Sequence, residues 1–332
     1  MVQIPRLAIA SLGGTIAMKI GPDGAAIPAL SGDDLVQAIP QLRNLATVTV
    51  QAIANVGSPS LTFQHILKAV EWAREQCKSG ASGAIITQGT DTLEESSYLA
   101  DLIWDCPQPL IFTGAMRSAG DPGADGPANL WASALTALSP QARDLGVLTV
   151  FNEEVHLARR VMKQHSTALS TFHSPASGPI AYLEEDEVVP FWQPPAQRTV
   201  PLPVPDTYNM RVPILEVGLG QDYETLAALG QSGIHGIVLA ALGSGHVPQD
   251  WPDTVEELAT RIPVIITSRT GAGSTTRHTY GYPGAELDLL KRGVELGGHL
   301  SARKARILLW AILSGAHKDD WRQQFALRAQ TP

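Results

Sequence analysis

Two short glycine–threonine segments, each directly after an apolar run, constrain the fold of this chain most. Leu12–Ala17 (LGGTIA) follows Leu7–Ser11, and Thr87–Thr92 (TQGTDT) follows Ala84–Ile86. Uninterrupted apolar runs are typical of parallel strands that are buried on both faces. Because the carboxyl ends of parallel strands share one edge of a sheet, we expect the threonine hydroxyls of the two segments to meet in one crevice. This arrangement favours chemistry with a hydroxyl nucleophile.

The composition indicates a large, packed protein and excludes several classes of partner. The 332 residues are 44% hydrophobic and 17% charged, which fits one large α/β domain or two domains. A net charge of −8 without a basic run argues against nucleic acid or membrane as a partner. The sequence has no membrane-spanning stretch and no signal-peptide pattern. We therefore expect a cytoplasmic protein, or a periplasmic one if a leader has been removed.

Strand-like and helix-like segments alternate along the chain, which predicts an α/β fold with a doubly wound, mostly parallel sheet in the amino-terminal domain. The acidic, proline-rich stretch Glu184–Pro205 indicates a linker with little regular structure. We predict a catalytic α/β domain over residues 1–190, a linker over 191–210 and a smaller α/β domain over 211–332. The predicted strands are Leu7–Ser11, Val48–Ala54, Gly83–Thr87, Pro109–Thr113, Gly146–Phe151, Val212–Val217, Gly236–Ala241 and Val264–Ser268. The predicted helices are Gly32–Ala38, Leu61–Glu75, Thr92–Trp104, Asn129–Leu138, Tyr223–Gln231, Thr254–Arg261, Ala302–Leu313 and Trp321–Arg328.

Taken alone, each motif also permits a structural interpretation. Gly13–Thr15 fits a plain strand–helix turn, and its spacing matches neither nucleotide-binding signature. Gly89–Thr92 is harder to explain as structure, because it places two hydroxyls and a carboxylate before a predicted helix. A threonine nucleophile needs a base and oxyanion donors, and Asp91 alone is a poor base. Lys163 could take the proton if its pKa were lowered, although its spacing alone fits a solvated lysine better.

The two cysteines, Cys77 and Cys106, flank the second motif. Without a CxxC pair or a Cys/His cluster the sequence offers no zinc site, and we expect neither a metal nor a cofactor. Two free thiols are the default in a reducing compartment.

The first motif, and the second motif extended to Thr87–Glu95, resemble the signature segments of the bacterial-type L-asparaginase (asparaginase/glutaminase) family. The resemblance implies an amidohydrolase that converts L-asparagine to L-aspartate and ammonia. It also implies a homotetramer, built as a dimer of dimers, in which a neighbour's carboxyl-terminal domain completes each site. It covers nearly the whole chain, since further segments have family counterparts in the same order: Val56–Ser58, Phe112–Arg117, Asp125–Leu130 and Lys304–Leu309.

The resemblance assigns catalytic roles by position. Thr15 matches the nucleophile, which would attack the side-chain amide carbon, release ammonia and leave an acyl-enzyme ester. Thr90, Lys163 and Asp91 match a second triad, which positions or activates the hydrolytic water and supports proton transfer.

The resemblance also assigns substrate contacts. Ser58 and Asp91 match residues that hold the α-carboxylate and α-amino groups of the substrate. The backbone N–H of Thr90 and the backbone around Ala115 match the oxyanion-binding region. The complete predicted substrate-binding set is Gly14, Gly57, Ser58, Pro59, Gly89, Thr90, Asp91 and Ala115.

The chain departs from the family pattern near the substrate. The family usually carries a tyrosine beside the nucleophile, but the lid segment Met18–Pro28 contains none. Lys19 is a candidate for that place, although a solvated lysine fits better. The histidine usual before the second Gly–Thr pair is Gln88, and the glutamine that often follows the serine is Pro59. Because Pro59 loses a donor to the head group, we expect weak glutaminase activity.

The family's neighbour-subunit residues have no secure match in the carboxyl-terminal domain. Candidates for this contribution are His246, Tyr280, Tyr282 and Glu286. Some secreted relatives carry a disulfide across the segment that holds the two cysteines, and the sequence leaves its presence here open.

Two alternative functions remain. An amidase of the same fold that acts on another small amide or lactam is suggested by Pro59 and by the missing tyrosine. A non-catalytic small-ligand-binding protein would keep the crevice without the chemistry. The joint presence of Thr15, Thr90, Asp91 and Lys163 argues against it, because binding alone does not require two nucleophile-type hydroxyls and a lysine.

Overall fold

A computed structural model describes residues 4–14, 16, 18–20, 26–28, 39–192 and 198–329, with the backbone alone described for 18–20 and 26–28. The predicted nucleophile Thr15 and the predicted helix Gly32–Ala38 lie outside the described residues. The chain divides into two compact units, Met1–Pro201 and Leu202–Pro332. The described residues contain no helix that is both long and apolar enough to cross a membrane.

The amino-terminal unit is built on a large mixed sheet. Its strands are β1 (Arg6–Ser11), β2 (Met18–Ile20), β3 (Ala26–Pro28), β4 (Thr47–Ala52), β5 (Gly83–Thr87), β6 (Leu110–Thr113), β7 (Val147–Phe151), β8 (Glu154–Leu157), β9 (Met162–Lys163), β10 (Phe172–His173), β11 (Ala181–Glu184) and β12 (Glu187–Pro190). Eight of them form one sheet in the order β12-β11-β8-β7-β6-β5-β1-β4. Strands β4, β1, β5, β6 and β7 are parallel, whereas β8, β11 and β12 add an antiparallel edge. The pairs β2–β3 and β9–β10 are separate.

The central strands are apolar because helices cover both of their faces. The helices of this unit are α1 (Leu42–Leu45), α2 (Phe63–Lys78), α3 (Leu93–Ile103) and α4 (Gly126–Leu138). Helix α4 shares one core cluster with Ile9, Ile85 and Ile111, which point to one side of the sheet. Their neighbours Ala10 and Ile86 are equally buried and point to the other side, where α2 and α3 pack on the strands and on each other.

The carboxyl-terminal unit has a smaller, all-parallel sheet with its own core. Its strands β13 (Ile214–Glu216), β14 (Ile237–Ala241), β15 (Val264–Ser268) and β16 (Glu295–Leu296) are adjacent in that order. Its helices are α5 (Glu224–Gln231), α6 (Pro252–Ala259), α7 (Glu286–Lys291), α8 (Ala302–Leu313) and α9 (Trp321–Ala329). The predicted fold class, a larger mostly parallel sheet followed by a smaller α/β domain, is confirmed.

The acidic start of the predicted linker is a β-hairpin. Strands β11 and β12 pair antiparallel around Glu185 and Asp186, whose φ angles of 48° and 64° are typical of a tight hairpin turn. The prediction of little regular structure from Glu184 onward is therefore wrong for Glu187–Pro190, because the four consecutive charges of Glu184–Glu187 concealed the strand pattern. The division between the two units falls between Pro201 and Leu202, and the predicted domain limits stay predictions.

Candidate active site

The two glycine–threonine segments lie in contact at the carboxyl ends of β1 and β5. The backbone N–H of Leu12 donates to the carbonyl of Thr87 at 2.9 Å. Gly14 has a φ of +87°, and a Cβ on it would lie 2.0 Å from the backbone nitrogen of Gly89. Only glycine permits this backbone conformation together with such a close approach. The first motif therefore places Gly14 directly against the second motif. Thr15, the next residue in the sequence, lies outside the described residues.

Lys163 joins the hydroxyl and the carboxylate of the second motif. Thr90–Thr92 form a single turn of 3-10 helix directly before α3. The ammonium Nζ of Lys163 donates to Thr90 Oγ1 at 2.8 Å and to Asp91 Oδ1 at 2.8 Å. Thr90 is buried, and the Lys163 side chain is only 14% exposed, whereas the Asp91 side chain is 57% exposed. The predicted triad is thus assembled with its carboxylate facing outward.

The charge state of Asp91 follows from these contacts. The hydrogen bond from Lys163 holds the pKa of Asp91 below its ordinary value, against the opposing effect of partial burial. The positive charge of Lys163 and a hydrogen bond from Ser58 lower this pKa further. Asp91 is therefore a carboxylate at neutral pH, which suits an anionic contact for a substrate ammonium group.

Ser58 is bonded to Asp91 from a separate turn. Its hydroxyl accepts the backbone N–H of Asp91 at 3.2 Å and donates to Asp91 Oδ2 at 3.2 Å. A Cβ on Gly89 would lie 2.7 Å from Ser58 Oγ, so the missing side chain at Gly89 makes room for Ser58. Gly57 and Pro59 flank the buried Ser58, and Pro59 is exposed.

The loop after β6 reaches the same edge of the sheet. Its Ala115 is buried, and the next backbone N–H, that of Met116, donates to both oxygens of Asp125 at 3.1 and 3.0 Å. The side-chain amide of Asn129 donates to the carbonyl of Gly114 at 3.0 Å. The segment that begins α4 therefore holds the Ala115 loop in place.

The buried side chains of Gln88 and Glu94 bind residues of the site and were not predicted as site residues. The amide nitrogen of Gln88 donates to the Gly89 carbonyl at 3.1 Å and to Thr92 Oγ1 at 3.4 Å. The carboxylate of Glu94 accepts the backbone N–H of Lys163 at 2.6 Å. The sequence offered two signals for Glu94: its place in the family-like segment Thr87–Glu95, and a carboxylate in the first turn of a predicted helix, which is ordinarily explained by the helix dipole.

The four candidate neighbour-subunit residues form one cluster inside the carboxyl-terminal unit. The Tyr282 hydroxyl lies 2.8 Å from His246 Nδ1, and Ser244 Oγ lies 3.2 Å from His246 Nε2. Glu286 Oε2 lies 3.3 Å from the same Nε2. The Tyr280 ring packs edge-on against His246 with 5.1 Å between centroids. The exposed groups of the cluster are the two tyrosines, at 44% and 49%.

Glu286 is an anchor within this cluster. Its side chain is fully buried, and Oε1 accepts the backbone N–H groups of Thr279 at 2.8 Å and Tyr280 at 2.7 Å. Burial alone would raise the pKa of Glu286, but the hydrogen bonds from the backbone of Tyr280, Glu286 and Thr279 outweigh it and lower the pKa. The glutamate therefore remains a carboxylate and fixes the loop that carries both tyrosines.

Both cysteines are buried free thiols. Burial raises the pKa of Cys77 to about 12, with a further contribution from Cys106. Burial likewise raises the pKa of Cys106. Neither thiol is activated as a nucleophile.

Both domains of the chain match models of one known protein family. A family model described as "Asparaginase, N-terminal" matches residues 6–196, and one described as "Glutaminase/Asparaginase C-terminal domain" matches residues 211–325. The chain belongs to the asparaginase family. The resemblance drawn from the six ordered motifs is confirmed, and it extends over both domains.

Relatives within the asparaginase family match along almost their full length. A Haemophilus influenzae protein named "Probable L-asparaginase periplasmic" is 34% identical over 326 residues, which are 94% of this chain and 89% of that protein. A Deinococcus radiodurans protein named "Probable L-asparaginase" is 34% identical over 332 residues, with 97% and 98% covered. The crystal structure of a "Probable Cytoplasmic L-asparaginase" from Campylobacter jejuni matches with a TM-score of 0.83 and 28% identity, covering 97% of this chain and 99% of that one. Because these names point to different compartments, the location of this family member stays a prediction.

Proposed function

We propose that the chain is an L-asparaginase, an amidohydrolase that converts L-asparagine to L-aspartate and ammonia. The observation that carries this proposal is the double hydrogen bond of Lys163 to Thr90 and Asp91, at the edge where the two glycine–threonine segments touch. Membership of the asparaginase family and the names of its relatives support the same reaction.

In the first half of the proposed reaction, the Thr15 hydroxyl attacks the side-chain amide carbon of asparagine. The carbon–nitrogen bond then breaks, the amide nitrogen leaves as ammonia with the hydroxyl proton, and an ester joins the substrate to Thr15. Negative charge develops on the amide oxygen during the attack and must be met by donors. We assign this role to the backbone N–H of Thr90 and to the backbone around Ala115, which follow the neighbouring strands β5 and β6.

In the second half, water attacks the ester, aspartate leaves and the Thr15 oxygen regains a proton. Because Thr90 Oγ1 accepts a hydrogen bond from Lys163, its own proton is free to point elsewhere and to donate. We propose that Thr90 uses this proton and its remaining lone pair to orient the water. Lys163 and Asp91 keep the hydroxyl in that orientation and support proton transfer.

The amino-acid head group is proposed to bind beside this triad. Asp91 is exposed and ionised, which suits the α-ammonium group. Ser58 would bind the α-carboxylate by turning its hydroxyl proton away from Asp91 Oδ2, to which it donates in the structure. Pro59 occupies the position where the family often has a glutamine, so one side-chain donor is lost. Glutamine is longer than asparagine and depends more on a firmly held head group, so we propose that glutaminase activity is weak.

We propose a homotetramer, a dimer of dimers, in which the carboxyl-terminal cluster completes a neighbour's site. Tyr280 and Tyr282 would make that contact, because their side chains are exposed. His246 and Glu286 would act by orienting them, because the glutamate is fully buried and bonded to the loop backbone. We also propose a cytoplasmic location.

Steady-state kinetics on L-asparagine, L-glutamine and small amides test the proposed substrate. We expect asparagine to have the highest kcat/KM and glutamine a clearly lower one. Pro59 and the tyrosine-free segment 18–28 favour the second candidate, an amidase for another small amide or lactam. A higher kcat/KM on a substrate without an α-amino acid head group would establish that candidate and overturn the first.

A further inference from the structure

Glu94 binds the backbone of the residue whose side chain completes the triad. It lies in the first turn of α3 and is 2% exposed. Its Oε2 accepts the backbone N–H of Lys163 at 2.6 Å, across 69 residues of sequence. Hydrogen bonds from an N–H to a carboxylate are shorter and stronger than neutral ones, and this one is partly buried.

The short segment Thr90–Glu94 therefore holds Lys163 both by its ammonium group and by its backbone. The ammonium end is bonded to Thr90 and Asp91, and the backbone end is bonded to Glu94, which follows them within the next turn. The lysine side chain is long and flexible, so the region that its Nζ can reach depends on where the backbone of Lys163 lies. A fixed backbone and a fixed ammonium group together restrict the conformations that are open to the side chain.

The strand that carries Lys163 is not part of the large sheet. Within the part of the chain that the structure describes, Lys163 belongs to the two-residue strand β9, which pairs with β10 and not with the large sheet. A two-stranded ribbon of this length has little stability of its own. The amino-terminal end of α3 favours a carboxylate at Glu94, which offsets part of the cost of burying the charge.

We propose that Glu94 is a positioning residue that sets the reach of Lys163 toward Thr90. This inference rests on the proposed role of the Thr90–Lys163–Asp91 triad in hydrolysis. Without the carboxylate, β9 shifts relative to α3, and Nζ no longer meets both partners at hydrogen-bond distance. Misplacement of a catalytic group by about 1 Å costs on the order of 10²-fold in rate.

Kinetics of three variants test the proposal. Glu94→Ala removes the acceptor, and we expect kcat for asparagine to fall about 10- to 100-fold with KM nearly unchanged. Glu94→Gln keeps an oxygen that can accept the Lys163 N–H, and we expect it to recover most of the lost rate. The exposed Glu75 gives a matched charge control, because Glu75→Ala removes the same charge far from the triad. We expect this control to keep the wild-type rate.

A double-mutant cycle with Lys163→Met separates positioning from general destabilisation. We expect Glu94→Ala to lower kcat in the wild-type background and to have no further effect once Lys163 has lost its ammonium group. Equal losses in both backgrounds would overturn the proposal. A wild-type rate for Lys163→Met alone would instead overturn the proposed role of the triad, so the two failures are distinguishable.

A crystal structure of a folded Glu94 variant gives a readout that is independent of rate. We expect the distance from Lys163 Nζ to Thr90 Oγ1 to exceed hydrogen-bond range in Glu94→Ala and to stay near 2.8 Å in Glu94→Gln. If Glu94→Ala does not fold, Glu94→Asp replaces it, because its shorter side chain keeps the charge but cannot reach the same N–H. An unchanged Lys163–Thr90 distance in either shortened variant would contradict the proposal.

Discussion

Lys163 donates a 2.8 Å hydrogen bond to the hydroxyl oxygen of Thr90, which lies 73 residues earlier in the chain. A second bond of equal length joins the same ammonium group to Asp91. A threonine hydroxyl that accepts a bond from a lysine keeps its own proton for another partner. This pair is therefore the structural basis of the proposed hydrolytic step.

Removal of the Lys163 ammonium group is expected to abolish most of the activity. Lys163→Met keeps the unbranched stem of the side chain but leaves Thr90 and Asp91 without their shared donor. We expect kcat for asparagine to fall on the order of 10²- to 10⁴-fold, the usual range for a lost proton-transfer group. Lys68→Met, at an exposed position on α2, is the matched control. An ammonia-release assay in which both variants lose activity equally would contradict this prediction.

The Asp91–Lys163 contact predicts a particular dependence of stability on pH. Because the pKa of Asp91 is lower in the folded protein than in the unfolded chain, the contact stabilises the fold above the unfolded pKa of about 3.9. This stabilisation is lost as the pH falls through the lower, folded pKa. Calorimetry should find Asp91→Asn less stable than the wild type at pH 7, with a difference that shrinks toward pH 3. A difference that grows under acid conditions would be inconsistent with this sign.

The cysteines are expected to be unreactive in the folded protein. Both thiols are buried, and burial raises the pKa of Cys77 to about 12, so hardly any thiolate forms at neutral pH. A thiol-specific chromogenic reagent should therefore react with neither cysteine in the native protein and with both in guanidinium chloride without reductant. Detection of no thiol in the denatured, unreduced protein would reveal a disulfide and refute this prediction.

Pro59 is expected to limit the use of glutamine. Pro59→Gln introduces a side-chain amide at an exposed position beside the buried Ser58. The added donor should strengthen the hold on the substrate head group, which a longer substrate needs more. We expect the kcat/KM for glutamine to rise several-fold relative to that for asparagine, an effect of about 1 kcal/mol for one hydrogen bond. Pro59→Ala, which adds no donor, is the control and should leave this ratio unchanged.

The parts of the fold and site that depend on local pattern could be predicted from the sequence. Gly83–Thr87 is apolar up to its final threonine and forms a buried central strand with the predicted limits. Thr90 and Asp91 lie within one motif, so their proximity is a consequence of chain connectivity. The hairpin of Ala181–Glu184 and Glu187–Pro190 was missed because its charged residues resemble a linker, although the tight turn allows two short strands to pair.

Contacts between distant segments could not be derived from local pattern. The meeting of Lys163 with Thr90 was expected only through the family resemblance, since spacing alone favoured a solvated lysine. The bond from Glu94 to the Lys163 backbone carries no sequence signature, because a carboxylate in the first turn of a helix is common. Likewise, the sequence listed His246 and Tyr282 as separate candidates, and only the fold brings them within 2.8 Å.

The central claim is that this family member hydrolyses asparagine through Thr15, and ammonia release by Thr15→Ala tests it most directly. Purified wild-type protein should release ammonia and L-aspartate in equal amounts from L-asparagine. Thr15→Ala, with an unchanged thermal unfolding midpoint, should release none above background. Ammonia release by this variant at the wild-type rate would contradict the account.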